Sequence, residues 1–183
     1  SIRETDAIIH VVRCFDDENV IHVDGSPDPA RDVETIEIEL GLADLETIEK
    51  RLDRATRQAK SGDKTGIAEK EFFTSLLEHV SSGKAARSHT VPEPMLTAVR
   101  ECHLLTIKPV LYVANVDDES LGEGNDYSSV LEAFAEKSGA GCLRICGQVE
   151  AELSELEEEE RDAFLDDMGV SEPGLHRLSR EAY

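Results

Sequence analysis

The sequence predicts an α/β fold: a doubly wound parallel sheet into which an antiparallel helical hairpin is inserted. Three observations predict it. Residues 7–15, 108–115 and 141–147 are short apolar runs rich in β-branched side chains, as a parallel strand needs when helices cover both of its faces. Only one helix-sized segment, residues 127–137, separates the second run from the third, which is the spacing of a βαβ unit. Residues 16–107 are far too long for a simple crossover, and much of their patterning is helical rather than alternating.

The first run, Ala-Ile-Ile-His-Val-Val-Arg-Cys-Phe, is nearly continuous in apolar side chains from Ala7 to Phe15. Pro27, Asp28 and Pro29 then mark a change of pattern. From Asp32, an expected N-cap, the apolar residues Ile38, Leu42, Leu45, Ile48, Leu52, Ala55 and Ala59 recur at spacings of three and four, the period of a long amphipathic helix. Ser61-Gly62-Asp63 breaks it. Ile67, Phe72, Phe73, Leu76, Leu77 and Val80 define a second helix that ends near Ser81-Ser82-Gly83, so the pair reads as a coiled-coil hairpin. Pro92 and Pro94 precede a helix expected from Met95 to Leu105. Lys108 to Asn115 is the second strand, with Pro109 tolerated at its start, and Gly141 to Gly147 is the third. Acidic helical segments follow at 150–156 and 154–168, where the run Glu157 to Glu160 suits a solvated helix N-terminus. On this reading residues 1–30 and 103–183 build the sheet domain, and residues 31–102 are the inserted coiled coil.

Composition narrows the function classes. Of 183 residues, 39% are hydrophobic and 32% charged, which fits a globular chain, while 40 Asp and Glu against 19 Lys and Arg give a formal net charge of -21. So negative a surface repels phosphate backbones and anionic lipid heads, so direct nonspecific nucleic-acid binding is not expected of this segment. The basic residues Lys50, Arg51, Arg54, Arg57 and Lys60 read as a solvated helix face. No stretch approaches the ~20 apolar residues that span a bilayer and no apolar leader opens the sequence, so no membrane partner and a cytoplasmic location are expected. Cys14, Cys102, Cys142 and Cys146 sit in apolar or helical contexts that suit buried reduced thiols; Cys142 and Cys146 alone make a weak metal motif.

Ligands of open parallel sheets bind beyond the carboxyl ends of the strands, which directs attention to two places. After the second run stands Asn115-Val116-Asp117-Asp118, of the form Asn-x-x-acid. In such a motif the asparagine ties loops together and the acid accepts hydrogen bonds from a purine edge, while Val116, where guanine readers carry Lys, would cover the base face. After the third run, Cys146-Gly147-Gln148 would offer backbone N–H groups to the base, with Gly147 permitting close approach. No Gly-x-x-x-x-Gly-Lys-[Ser/Thr] motif occurs, and Gly62-Asp63-Lys64-Thr65 lacks its spacing and joins two helices.

Wider similarity gives these residues a context. Residues 2–8, His10 to Phe15, His22-Val23-Asp24-Gly25, Asp32, Glu39-Leu40 and Leu42-Ala43-Asp44-Leu45 resemble the bacterial branch of the YchF/EngD Obg-like ATPases. The resemblance continues through Gly62-Asp63-Lys64, Lys108-Pro109, Asn115, Glu150, residues 158–161 and Glu172-Pro173-Gly174-Leu175. It implies a partial P-loop NTPase fold, with the phosphate-binding loop and switches before the point matching Ser1 and a small TGS domain after the point matching Tyr183. It further implies hydrolysis of ATP in preference to GTP with Mg²⁺ in the full-length protein, and association with ribosomes or ribosomal proteins. For the segment by itself it implies no catalytic residue and no cofactor, only a base-recognition set of Asn115, Val116, Asp118, Cys146, Gly147 and Gln148. The family commonly has Glu where Asp118 stands, in a motif associated with adenine, whereas the shorter Asp118 taken alone leans toward guanine. The alternative reading is an acidic helical interaction module that docks, through the hairpin, on a ribosomal or other protein.

Overall fold

The structure is a computed structural model that describes residues 2–17 and 26–182. The segment His22-Val23-Asp24-Gly25 lies outside the described residues. The chain divides into two compact units, residues 7–33 with 110–183 and residues 1–6 with 34–109.

The first unit is built on a parallel sheet. Its strands are β1 (Ile8–Arg13), β2 (Val110–Asn115) and β3 (Gly141–Ile145), in the order β1-β2-β3. Ile8 aligns with Val110, and Leu111 with Gly141. Four consecutive residues of the central strand, Leu111 to Ala114, are buried, which is why this run reads as continuously apolar. β1 departs from that expectation: Ile8 and Val12 are buried, but Ile9 and Val11 are 41% and 60% exposed. The alternation follows from the two-residue period of a strand, with only one face of β1 packed among the described residues.

That face meets α4 (Asp126–Ser138), whose Leu131 and Ala135 pack with Val12, Tyr112 and Ala114. Tyr112 meets Phe134 edge to face at 5.7 Å between ring centres. Asn125 caps α4, accepting from the Ser128 N–H at 2.9 Å while the Ser128 hydroxyl accepts from the Asn125 N–H, and Gly139 at φ +71 ends the helix. β3 passes directly into α5 (Gly147–Ser154), earlier than the expected helix at 150–156, because Cys146 is already in the extended N-cap conformation. α6 (Glu158–Asp167) has Glu158, Glu159 and Glu160 in its first turn, where the helix dipole favours them. A short helix that the sequence pattern did not reveal, α7 (Gly174–Ala182), follows Pro173 and packs on β3.

The second unit is helical. α1 (Pro29–Lys60) has most of its length there, and α2 (Lys64–Ser81) returns antiparallel after a turn in which Gly62 takes φ +81. Arg51 on α1 reaches Glu69 on α2 at 2.9 Å, and a Cβ on Gly66 would lie 2.7 Å from Gln58 Cβ, so the helices approach closely at the turn. Asp63 caps α2, accepting from the Gly66 N–H at 2.9 Å. Ile48, Phe73 and Leu76 form the centre of the core with Val99 of α3 (Leu96–Cys102) and with Leu104.

Three local expectations are corrected. Asp28, not Asp32, caps α1: its carboxylate accepts from the Arg31 N–H at 3.1 Å, Pro29 takes the first helical position, and Asp32 lies in the first turn. Ile38 and Leu42, placed by periodicity on the buried face, are 56% and 61% exposed, while Asp44 is fully buried. Asp44 accepts from the N–H groups of Leu105 and Thr106 at 2.7 and 2.8 Å and from the Thr106 hydroxyl at 2.7 Å. The helix expected to run to Leu105 stops at Cys102, because His103 adopts the left-handed conformation at φ 48, and the chain beyond it is tied to Asp44 instead.

Candidate functional site

The carboxyl ends of β2 and β3 hold the residues of the candidate site. The sheet continues one residue past β2, where the Val116 N–H donates to Ile145 O at 2.8 Å, and this fixes the side-chain alternation. Tyr112, Ala114 and Val116 then point to the α4 side, and Val116 is buried in the core at 2% exposure. The expectation that Val116 covers a purine face is therefore corrected: it anchors the loop. Asn115 has the opposite parity and is partly exposed. Its Oδ1 accepts from the Gly147 N–H at 3.2 Å, joining the end of β2 to the first residue of α5.

Asp118 is exposed, and its Oδ1 accepts from the Glu119 N–H at 3.0 Å. Asp117 turns the loop back, accepting from the Ser120 N–H at 2.9 Å. Gly147 and Gln148 are exposed at the start of α5, where N–H groups lack helical partners, whereas Cys146 is 3% exposed and its carbonyl accepts from the Glu150 N–H at 3.0 Å. Gln148 also lies 3.5 Å from Glu152 Oε1. The structure thus brings Asn115 and Gly147 into direct contact, presents Asp118 and Gln148 at the surface, and withdraws the side chains of Val116 and Cys146 into the core.

Two residues outside the expected set shape this loop. The Cys14 N–H donates to Asn115 O at 2.8 Å, and the Asn125 side-chain amide donates to Cys14 O at 2.8 Å, so both ends of segment 115–125 are fastened to the backbone of one residue just after β1. The sequence reading missed Asn125; the spacing Asn-x-x-Ser could have signalled the helix cap, but nothing local signals the second bond. Glu150 accepts from the Gly174 N–H at 2.5 Å, and a Cβ on Gly174 would lie 2.7 Å from an Ile145 side-chain atom, so glycine there lets α7 sit against β3.

Burial pushes the Cys14 thiol up to about 12, with Cys142, Asp32 and Glu132 adding to the effect, and pushes Cys142 up to about 11, with Glu132 adding. Both thiols are protonated at neutral pH, which suits neither nucleophile nor metal ligand. Among the described residues no three His, Cys, Asp or Glu gather around a metal position. What the strand ends offer is one exposed carboxylate as acceptor, backbone N–H groups as donors, and an asparagine that holds the two in register. A cavity of about 520 Å³ in the helical unit, lined by Arg3, Glu46, Thr47, Lys50 and His103 among others, contains none of these residues.

No family model matches the chain. Curated relatives match it over its whole length: a protein named ribosome-binding ATPase YchF from Haemophilus ducreyi is 43% identical over 183 residues, covering 100% of this chain and 50% of the relative. The Bacillus subtilis protein of that name is 43% identical over 184 residues and the Escherichia coli O157:H7 protein 41% over 183, each with the same coverage. The solved structure of the Schizosaccharomyces pombe YchF GTPase superposes with a TM-score of 0.83 at 25% identity, covering 98% of this chain and 50% of that one. The chain spans about half the length of the relatives it matches.

Proposed function

Because the chain belongs to the YchF family, matching about half the length of its relatives, we propose that it is the base-reading part of a nucleoside-triphosphatase that accepts ATP at least as well as GTP. The observation that carries this reading is the bond from the Gly147 N–H to Asn115 Oδ1, which joins two strand ends where an open parallel sheet binds its ligand. The Watson–Crick edge of adenine offers a donor amine beside an acceptor ring nitrogen. Asp118 supplies the acceptor, and the first turn of α5 supplies the donor. No lysine stands at Val116 to accompany a guanine reader, and Val116 in the core frees no polar group for one.

Hydrolysis is assigned to the whole protein. Binding of the phosphates and Mg²⁺ and orientation of the attacking water belong to a phosphate-binding loop outside these 183 residues. When bound, Mg²⁺ neutralises developing charge on the phosphates. The residues of this chain orient the purine, and through it the triphosphate, without touching the reacting atoms. The ribosome is the proposed macromolecular partner and the cytoplasm the proposed location, in line with the name of the bacterial relatives. No described helix is long and apolar enough to cross a membrane.

A titration of the whole protein with ATP and with GTP, at one Mg²⁺ and salt concentration, tests the base assignment. Wild type binds ATP at least as tightly as GTP, and Asp118→Ala changes their ratio by more than it changes affinity for inorganic tripolyphosphate. A wild type that prefers GTP by tenfold, about 1.4 kcal/mol, overturns the adenine assignment.

A further inference from the structure

We propose that Arg13 is a further nucleotide-contacting residue, whose guanidinium donates to the phosphate nearest the ribose. The inference rests on the base-reading site proposed above and adds a residue that stands outside it. Arg13 is the last residue of β1 and the register partner of Asn115, so the two strand ends lie side by side, about 4.8 Å apart at the spacing of neighbouring strands. Val12 and its partner Ala114 point to the α4 side, and alternation therefore sends Arg13 and Asn115 to the other face. The order β1-β2-β3 makes β1 the next strand after the joined ends of β2 and β3. A nucleotide whose base meets Asp118 and Gly147, and whose sugar runs toward β1, carries its 5′-phosphate to Arg13.

The contacts of Arg13 leave it short of an acceptor. Its Nε donates to Phe15 O at 3.2 Å, and its guanidinium carbon lies 4.7 Å from the centre of the Phe15 ring, so one donor is used and the plane is held in place. Its Nη2 is buried with no hydrogen-bond partner, and none of the ion pairs among the described residues includes it. Buried donors without an acceptor are rare in native folds, and a charged one is costly. An anionic oxygen is the acceptor that a guanidinium binds most strongly, whereas a ribose hydroxyl would complete the bond and leave the charge unmatched. Arg13 as a whole is only half-buried, so its acceptor can arrive from solution.

The second arginine of the sheet provides the contrast. Arg144 of β3 is the register partner of Ala114, which places it on the α4 side, and there its Nε lies 3.5 Å from Glu132. That arginine has a carboxylate of its own. Asp16, the carboxylate just beyond Phe15, accepts instead from the Tyr127 hydroxyl at 2.9 Å. Arg13 is thus an arginine at the ligand edge of the sheet, held by its own loop and lacking a counter-charge among these pairs. A contact to the phosphate nearest the ribose lies away from the bond that is hydrolysed, so Arg13 would help to hold the nucleotide rather than take part in its cleavage.

The test titrates the ¹⁵N-labelled 183-residue chain with adenosine, AMP and ribose 5-phosphate at low salt, as wild type, Arg13→Gln and Arg13→Lys. AMP binds wild type roughly tenfold more tightly than adenosine, the lower end for a hydrogen bond between charged groups. It also shifts the Arg13 Nε–H and the Cys14 amide, which adenosine leaves in place. Arg13→Gln removes the difference between AMP and adenosine and keeps adenosine affinity within about twofold, while Arg13→Lys retains part of the difference. Equal affinities of AMP and adenosine for wild type overturn the proposal. Equal weakening of both ligands by a folded Arg13→Gln, checked by its thermal melting, does so too, because it makes Arg13 a support of the loop. Should Arg13→Gln not fold, the wild-type Nε–H shift and Arg13→Lys decide. Ribose 5-phosphate separates this proposal from the base reading. If it moves the Arg13 Nε–H while adenosine moves nothing at Asn115 and Gly147, the base reading falls and the phosphate contact stands. If adenosine binds there and neither phosphate ligand moves Arg13, the reverse holds, and no response to any of the three overturns both.

Discussion

Replacing Asp44 with alanine removes a carboxylate that is fully buried and accepts three hydrogen bonds from Leu105 and Thr106 at 2.7 to 2.8 Å. Two backbone N–H groups and one hydroxyl then lose their acceptor. The hydroxyl still accepts from the Ala86 N–H at 2.8 Å, but the backbone groups have no substitute among the bonds described, and each orphaned buried donor costs about 1–3 kcal/mol. Asp44→Ala is therefore expected to destabilise the helical unit by about 3–5 kcal/mol. Urea unfolding followed by circular dichroism reads this as a lower midpoint, with the helical unit melting first. Asp63→Ala is the internal standard, since it removes an N-cap with one bond at a partly exposed turn and should cost only about 1 kcal/mol. If the two substitutions cost the same, Asp44 is not the tie that holds the chain after α3, and the explanation for its burial fails.

Other outcomes follow from the same geometry. Gly66→Ala places a Cβ 2.7 to 2.9 Å from atoms of Gln58 and Ala59 and should cost about 1–3 kcal/mol in the same assay; a neutral effect would mean the helices have room at the turn. Asn125→Ala removes both the α4 cap and the tether to Cys14 O, whereas Asn125→Asp keeps the cap acceptor and loses the tether. The second variant should shift the ATP to GTP affinity ratio of the whole protein while changing stability less than the first, and an unchanged ratio would leave Asn125 as a cap only. For pH, the Cys14 and Cys142 thiols ionise near 9 unfolded but at about 12 and about 11 folded. Their contribution to stability is complete below 9 and is lost as pH rises toward the folded values. Burial holds His10 below its ordinary 6.5 against the pull of Asp32, so its contribution is present above 6.5 and declines as pH falls below that. Thermal midpoints across pH 5 to 11 should form a plateau between those limits, and Cys14→Ala should flatten the alkaline side; an alkaline side unchanged by that variant contradicts the assignment.

The sheet was legible because its strands carry their burial in their composition: four successive residues of β2 are apolar and all four are buried. β1 has a similar composition and only half the cover, since a run of apolar residues does not say which face has a neighbour. In α1 the periodicity located the helix but misplaced part of its face. Ile38 and Leu42 obey the period yet stay exposed, and the residue the fold buries is Asp44, whose acceptors are spent on a segment more than 60 residues away in sequence. The Asn115 and Gly147 pair was legible because strand ends are where such sheets bind ligands. Val116 was misread because the motif was taken as a string, when strand parity decides which of its members faces outward. The tether from Asn125 to Cys14 spans 111 positions and follows from no local pattern.

The proposed base site is best probed by amide chemical shifts of the ¹⁵N-labelled chain titrated with adenosine and then with guanosine, ligands that carry no phosphate. Adenosine is expected to move the amides of Asn115, Glu119, Gly147 and Gln148 in a saturable way, at concentrations no higher than guanosine requires, and Asp118→Ala to abolish the Glu119 response. Shifts confined to other residues, or none at the ends of β2 and β3 while the sheet remains folded, would contradict it.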